Sequence, residues 1–217
     1  MYINLDGIEL YYEKSGSGKP LILLHGNGES HEIFDEAAKE LSESYTCYAI
    51  DSRGHGKSTT VNELHYSDMA DDVIKFIEAL KLDEVILYGF SDGGIIALLC
   101  AMKCKRIKTL IISGANINPK GVKAGIRLMF KISYFFKRDM FTRLMMTEPD
   151  ISAKDLSAIS ARTLVLAGSK DLIIEKQTRF IADSIKNSTL RILDGEAHGT
   201  YIIHSTKIAK LIKDFAQ

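Results

Sequence analysis

One stretch, residues 85–100, constrains the fold of this chain more than any other. It reads V-I-L-Y-G-F-S-D-G-G-I-I-A-L-L-C. The apolar run up to Tyr88 is bounded by glycine and predicts a buried strand, whereas the apolar run from Ile95 continues at helical length. Ser91 therefore lies on a tight strand-to-helix turn, where free N–H groups at the helix start favour negative charge. Such a turn is a suitable place for a nucleophile.

The five residues at this turn form a recognised motif. Gly89-Phe90-Ser91-Asp92-Gly93 has the G-x-S-x-G spelling of the nucleophile elbow. In this motif and its flanking strand and helix, the sequence resembles the α/β-hydrolase family. The alternative is a glycine-rich turn in another α/β fold, where Ser91 would only cap the helix. The resemblance implies an α/β-hydrolase fold: a mostly parallel eight-stranded sheet with an antiparallel N-terminal edge, helices on both faces and a short helical cap insertion.

Hydrophobic periodicity predicts the remaining strands. Residues 2–6 and 8–14 alternate apolar and polar side chains around Gly7, which predicts an antiparallel hairpin at the sheet's edge. Residues 21–24 are wholly apolar and predict a central strand. Further strands are predicted at 46–50, 107–112, 163–167 and 190–193. We expect residues 1–217 to form a single α/β-hydrolase domain with a cap insertion at about 116–150.

Two glycine-containing loops follow predicted strands. Residues 25–28 read H-G-N-G, and by resemblance to the family's H-G-x-G motif the backbone N–H of Asn27 is one oxyanion-hole donor. The second donor is then the N–H of Asp92, which follows the nucleophile. The alternative is that these glycines only shape a turn. The next loop, D-S-R-G-H-G-K-S, is predicted to be architectural, with Arg53 paired to Asp51.

A serine hydroxyl needs an adjacent base and a group that orients that base. Asp171 and His198 each follow a predicted strand, and the order Ser91, Asp171, His198 is the order of the family's triad. Because the carboxyl ends of parallel strands lie at one edge of a sheet, these residues can converge there. Asp194 and Glu196 are alternative acids, but closeness in sequence does not align a carboxylate with the imidazole Nδ1. The other possible bases are His25, His31, His55, His65 and His204.

The regular alternation of strands and helices breaks after residue 112. Asn118-Pro119 predicts a helix start, and the following pattern predicts a strongly amphipathic helix over residues 119–137. We expect the apolar residues of this cap to form an adaptable wall over the active site. The basic face has three interpretations: a solvated surface, attraction of an anionic or lipid-like substrate, or docking on an anionic membrane surface. This face consists of Lys120, Lys123, Arg127, Lys131 and Arg138.

Composition argues against several classes of partner and cofactor. Lys plus Arg and Asp plus Glu both number 28, so no global charge attracts nucleic acid. The first residues lack a secretory signal pattern and the three cysteines lack paired spacing, which predicts a reducing, cytoplasmic location. No cluster has the spacing of a zinc site, so we expect neither a metal nor an organic cofactor. The oligomeric state stays open.

The resulting hypothesis is a serine hydrolase that cleaves a small carboxylic ester or related acyl compound through an acyl-enzyme. Carbon–carbon bond hydrolysis and acyl transfer use the same triad and stay open, as does a non-catalytic small-ligand-binding protein on the hydrolase fold. Within the family, residues 91–94 resemble the valacyclovir-hydrolase, or biphenyl-hydrolase-like, group. Asp92 could select an amine-bearing acyl group, or it could only complement the positive end of its helix. The shorter cap of this chain means that the group's substrate preference does not carry over.

Overall fold

The secondary-structure elements build one sheet with helices packed against it. The computed structural model describes residues 1–216. The strands are β1 (Tyr2–Leu5), β2 (Ile8–Ser15), β3 (Lys19–Leu24), β4 (Tyr45–Ile50), β5 (Val85–Phe90), β6 (Ile107–Ser113), β7 (Arg162–Gly168) and β8 (Ser188–Leu193). The α-helices are α1 (Asp35–Leu41), α2 (Tyr66–Ala79), α3 (Asp92–Lys103), α4 (Ala124–Lys137), α5 (Met140–Thr147), α6 (Ala153–Ser157), α7 (Glu175–Ser184) and α8 (Lys207–Ala216). Two 3₁₀ turns lie at His31–Phe34 and Pro119–Gly121.

The sheet has the strand order β1-β2-β4-β3-β5-β6-β7-β8. β1 pairs with β2, and β2 with β4, in antiparallel fashion, whereas every later pair is parallel. The predicted hairpin therefore forms the edge, and β3, whose last four residues are fully buried, lies in the interior of the sheet. This arrangement confirms the predicted fold class. It also brings the carboxyl ends of β3, β5, β6, β7 and β8 to one edge.

Two hydrophobic clusters hold the helices to the two faces of the sheet. One joins residues of α2, α3, α6 and α7 to one face. The other joins residues of α1 and α8 to the opposite face. Helix α3, which follows the elbow, is buried along most of its length because its side chains are almost all small or apolar. The turn before α3 is thus fixed by a strand and a helix that are both in the core.

The cap differs from the predicted single helix over residues 119–137. The chain makes a 3₁₀ turn at Pro119–Gly121, becomes extended at Val122 and Lys123, and starts α4 only at Ala124. The interruption has a tertiary cause, since Val122 forms an isolated antiparallel bridge with Ile173. The N–H of Lys123 also donates to the carbonyl of Leu172 at 2.9 Å. The start of the cap is therefore tied to the loop that follows β7.

Candidate active site

The turn between β5 and α3 holds Ser91 in an unusual backbone conformation. Its φ is 52° and its ψ is −116°, a region that non-glycine residues rarely adopt. Two glycines make the turn possible, because added Cβ atoms would lie 2.1 Å from the Gly93 carbonyl oxygen at Gly89 and 2.2 Å from the Leu24 carbonyl oxygen at Gly93. The elbow motif is therefore a steric requirement, and it leaves the Ser91 hydroxyl at the carboxyl edge of the sheet.

The three residues proposed as a triad meet at this edge. His198 Nε2 lies 3.0 Å from Ser91 Oγ, and His198 Nδ1 lies 2.7 Å from Asp171 Oδ1. With the proton on Nδ1, that nitrogen donates to the carboxylate and Nε2 can accept from the serine hydroxyl. The ring also packs on Phe90, with ring centroids 4.9 Å apart. The geometry is that of a nucleophile, a base and an orienting acid.

Asp171 is buried and is held in its ionised form. Burial acts to raise the pKa of this carboxyl, but the hydrogen bond and charge of His198 together with backbone hydrogen bonds outweigh it, and the pKa lies below its usual value. The N–H of Ile173 supports the charge by donating to Oδ1 at 2.9 Å. A charged Asp171 can stabilise the imidazolium that forms when His198 accepts a proton.

The alternative acids and bases are engaged elsewhere. Glu196 binds Lys207 and Thr200, and Asp194 accepts a 3.4 Å hydrogen bond from Ser169. Three of the alternative histidines contact a carboxylate other than Asp171: His31 contacts Asp51, His65 contacts Glu148 and His204 contacts Asp35.

The buried histidines of the neighbouring loops have structural contacts. His25 Nδ1 donates to the Gly26 carbonyl at 2.7 Å, and its Nε2 accepts from the N–H of Ser52 at 3.1 Å. Burial lowers the pKa of His25 to about 4, so it is neutral near pH 7. His55 Nδ1 bonds the Arg53 carbonyl at 3.0 Å. His25 therefore links the loops that follow β3 and β4.

The expected pairing of Arg53 with Asp51 is wrong. Arg53 instead makes two hydrogen bonds to Asp72 on α2, at 2.6 and 2.7 Å, and a third contact to Asp68 at 3.3 Å. Asp51 accepts from the N–H groups of His31 and Lys57. The loop is architectural as predicted, but its anchor is a helix and not its own first residue.

The two expected oxyanion donors belong to Asn27 and Asp92, whose side chains are hydrogen-bonded to each other. Asn27 Nδ2 donates to Asp92 Oδ2 at 2.7 Å and lies 3.3 Å from the Phe141 carbonyl oxygen. Within residues 1–216, the backbone N–H groups of Asn27 and Asp92 donate to no protein acceptor. Burial raises the pKa of Asp92 to about 6, although Asn27 and Tyr66 each contribute a hydrogen bond that opposes the rise.

A cavity of about 300 Å³ opens over Ser91 and His198. Sequence reasoning missed four polar residues of its wall: Glu29, Tyr66, Asn116 and Glu148. Phe130 and Met145 of the cap also line the cavity, in agreement with the apolar wall expected there. Glu29 Oε2 accepts the Gly26 N–H at 2.9 Å, and burial raises the pKa of Glu29. Glu148 Oε2 accepts the Tyr66 N–H at 3.1 Å. Of the four missed residues, only Glu29 could have been suggested by the sequence, because it directly follows the H-G-N-G loop that holds Asn27.

Comparison with known proteins identifies the family. The family model described as the alpha/beta hydrolase fold matches residues 19–135, which include the elbow and more than half of the chain. The chain belongs to the α/β-hydrolase family. Hydrolase enzymes of this family are among its relatives, and the chain has the fold that they share.

Two relatives and one solved structure cover nearly all of this α/β hydrolase. The AB hydrolase superfamily protein YisY of Bacillus subtilis is 29% identical over 96% of both chains. The human serine hydrolase BPHL is 27% identical over 99% of this chain and 85% of its own. A meta-cleavage product hydrolase from Pseudomonas fluorescens superimposes with a TM-score of 0.81 at 20% identity, over 100% of this chain and 97% of its own. The last likeness shows the fold alone.

Within residues 1–216, no group of three His, Cys, Asp or Glu side chains is arranged to hold a metal ion. Cys47, Cys100 and Cys104 are buried and form no disulfide with one another. Over the same residues, no helix combines the length and apolar character needed to span a bilayer.

Proposed function

We propose that this α/β hydrolase is a serine hydrolase that cleaves a small carboxylic ester or related acyl compound. The observation that carries the proposal is the continuous contact from Ser91 Oγ through the His198 ring to Asp171, at 3.0 and 2.7 Å. These distances are within the range of productive hydrogen bonds. A serine, a base and an ionised acid in this order are the requirements for nucleophilic catalysis.

The reaction begins with attack of Ser91 Oγ on the acyl carbonyl carbon. His198 Nε2 accepts the hydroxyl proton as the new C–O bond forms, and ionised Asp171 stabilises the imidazolium. The carbonyl oxygen becomes an oxyanion, which the free N–H groups of Asn27 and Asp92 can bind. Collapse of this intermediate breaks the bond to the leaving alcohol, and His198 returns the proton to that alcohol.

Water completes the cycle by the reverse sequence. His198 removes a proton from water, the hydroxide attacks the acyl-enzyme, and the acid leaves as Ser91 regains its proton. His198 must be neutral at the start of both steps, so activity should fall in acidic solution.

The test is the Ser91→Ala variant with a short aryl ester. Turnover should fall at least about a thousandfold, because the nucleophile is lost while the fold is retained. Circular dichroism checks the fold, and exposed, remote Ser157→Ala is the matched control that should keep full activity. Fluorophosphonate should label the natural chain and not Ser91→Ala. Undiminished turnover by Ser91→Ala would remove the proposal.

Three rival functions are distinguished by product analysis and by fluorophosphonate labelling. Carbon–carbon bond hydrolysis and acyl transfer would also need Ser91, so product analysis with diketone substrates and with added alcohol acceptors distinguishes them from ester hydrolysis. A non-catalytic binding protein has no need for an activated serine and should not react with fluorophosphonate.

The charges around the cavity favour one refinement, a substrate whose acyl group carries an ammonium. Three carboxylates line the cavity, those of Glu29, Asp92 and Glu148. Among residues 1–216, no lysine or arginine lines it. A cation entering this cavity would find several acceptors and no like charge. Asp92 is already bonded to Asn27, so the ammonium would share this carboxylate with the amide.

The refinement is tested with aminoacyl and plain acyl esters of equal size and the same leaving group. We expect kcat/KM to favour the aminoacyl ester, and Glu29→Gln to reduce that preference. Equal kcat/KM for both esters would contradict the ammonium proposal and leave the serine-hydrolase proposal standing.

A further inference from the structure

Helix α4 of the cap turns large apolar side chains to the solvent. Five of the nine large hydrophobic residues that are exposed in residues 1–216 lie on this one helix, with exposed fractions from 52% to 77%. Their spacing places them on one continuous face, since positions i, i+4, i+7 and i+8 share a side of a helix. We name them the outer stripe: Leu128, Met129, Ile132, Phe135 and Phe136.

The outer stripe is not part of the catalytic cavity. The inner side of α4 carries Phe130, which lines that cavity, and no residue of the stripe does. Phe135 and Phe136 pack edge to face with ring centroids 5.3 Å apart, and both stay more than two-thirds exposed. Contiguous exposed apolar surface of this kind marks interaction sites in soluble proteins.

The charge around the outer stripe indicates the kind of surface that covers it. The cap segment, residues 119–147, contains seven Lys and Arg residues and one acidic residue, Asp139, although the whole chain has equal numbers of both signs. The rest of the chain therefore carries a net charge of opposite sign. Lys131 and Lys137 are exposed on the same helix as the stripe. An apolar helical face bordered by cations fits the boundary of an anionic lipid layer.

We propose that the outer stripe docks this protein on anionic membrane surfaces, with α4 lying in the plane of the interface. A second copy of the chain fits this surface less well, because a two-fold interface places the same patch against itself. Two cap segments would then bring their excess positive charges together. An anionic bilayer covers the apolar stripe and neutralises the same charges.

A second cavity lies next to the outer stripe and shares wall residues with the catalytic cavity. It measures about 620 Å³ and has Leu128 of the stripe, Lys131, Phe130 and Met145 in its wall. Phe130 and Met145 also line the catalytic cavity. Because Leu128 belongs to both the stripe and this wall, docking through the stripe would place the second cavity beside the lipid.

The experiment is co-sedimentation of the protein with phosphatidylcholine vesicles that contain or lack phosphatidylglycerol. We expect binding to the anionic vesicles that weakens with salt, and little binding to the neutral ones. Phe135→Ser with Phe136→Ser should reduce the partition coefficient at least about tenfold, since the variant lacks two rings that become buried in the lipid on docking. Lys131→Gln with Lys137→Gln should reduce it at least about fivefold.

Matched controls use similar side chains outside the cap. Phe180→Ser removes an exposed phenylalanine of α7, and Lys186→Gln removes an exposed cation, and neither should change vesicle binding. Turnover of a soluble aryl ester reports separately on the catalytic proposal and should be unchanged in the stripe variants. Absence of binding to anionic vesicles would overturn the docking proposal. The proposal would also be overturned if light scattering showed a dimer that dissociates in the phenylalanine variant and the protein did not bind vesicles.

Discussion

At the scale of single residues, the candidate site depends on how closely its parts approach. Gly114, directly after β6, adopts a φ of +62° and lies against the imidazole of His198. A Cβ on Gly114 would be 2.7 Å from His198 Cε1 and 2.9 Å from its Nδ1. The ring can therefore keep its place between Ser91 and Asp171 only if residue 114 has no side chain. In the proposed mechanism, Gly114 positions the His198 base without taking part in the reaction.

Gly114→Ala should displace the imidazole and lower kcat by roughly ten- to a hundredfold, because small misplacements of a catalytic group are costly. KM should change little, since most of the cavity wall is untouched. Steady-state kinetics with an aryl ester provide the measurement. Gly7→Ala is the control, because Gly7 also has a positive φ, of 93°, and a Cβ there meets nothing within 4 Å. If both variants lose activity equally, backbone strain and not the imidazole contact is the cause.

At the scale of elements, the cap is attached to the sheet domain at both ends. Its start is tied to the loop after β7 through Val122 and Lys123. Its end is tied to the first turn of α2, where Glu148 accepts from His65 Nδ1 at 2.6 Å and from the Tyr66 N–H. The second attachment contains a titratable pair, so its strength depends on pH.

The hydrogen bond to Glu148 raises the pKa of His65 above its ordinary value of 6.5. The folded protein therefore binds this proton more tightly than the unfolded chain does. The pair's contribution to the free energy of unfolding is complete below pH 6.5 and disappears as the pH rises through the raised pKa. His65→Ala should lower the free energy of unfolding by less than about 1 kcal/mol at about pH 5.5, and by almost nothing at about pH 9. Urea titrations at the two pH values measure the effect.

Glu148→Gln provides the partner variant for this titration. It should remove the same pH-dependent contribution, and adding His65→Ala to it should then cost little more. A cost of His65→Ala that is equal at both pH values would contradict the ion-pair explanation.

At the scale of the whole molecule, stability comes from the two clusters on the faces of the sheet and not from α4. Leu110 of β6 is fully buried, whereas Leu128 of α4 is 58% exposed. The same substitution at the two positions thus removes very different amounts of buried apolar surface.

Leu110→Ala should lower the free energy of unfolding by about 2–5 kcal/mol, through lost burial and the cavity that remains. Leu128→Ala should change it by no more than about 0.5 kcal/mol in the absence of lipid. Chemical denaturation of both variants makes the comparison. A large loss in Leu128→Ala would mean that the outer stripe is covered within the folded protein, which would also weaken the docking proposal.

The sequence by itself determined the fold class, the edge and centre of the sheet and the sharp turn at Ser91. The edge, the centre and the turn depend on local periodicity and on steric limits within a few residues, which a single chain displays directly. The fold class followed from the resemblance that the elbow motif carries. The candidate residues Asp171 and His198 could be selected because a parallel sheet gathers the ends of its strands, although their catalytic role stays a prediction.

The tertiary structure alone decided which side chains meet across distant segments. Arg53 binds Asp72 instead of Asp51, Asn27 is joined to Asp92, and the cap helix begins late because Val122 pairs with Ile173. The exposure of the outer stripe was also decided by the tertiary structure, since an amphipathic pattern shows that a helix has two faces but not which face packs against the protein. Such outcomes depend on the packing of residues far apart in the chain, and no local pattern encodes that packing.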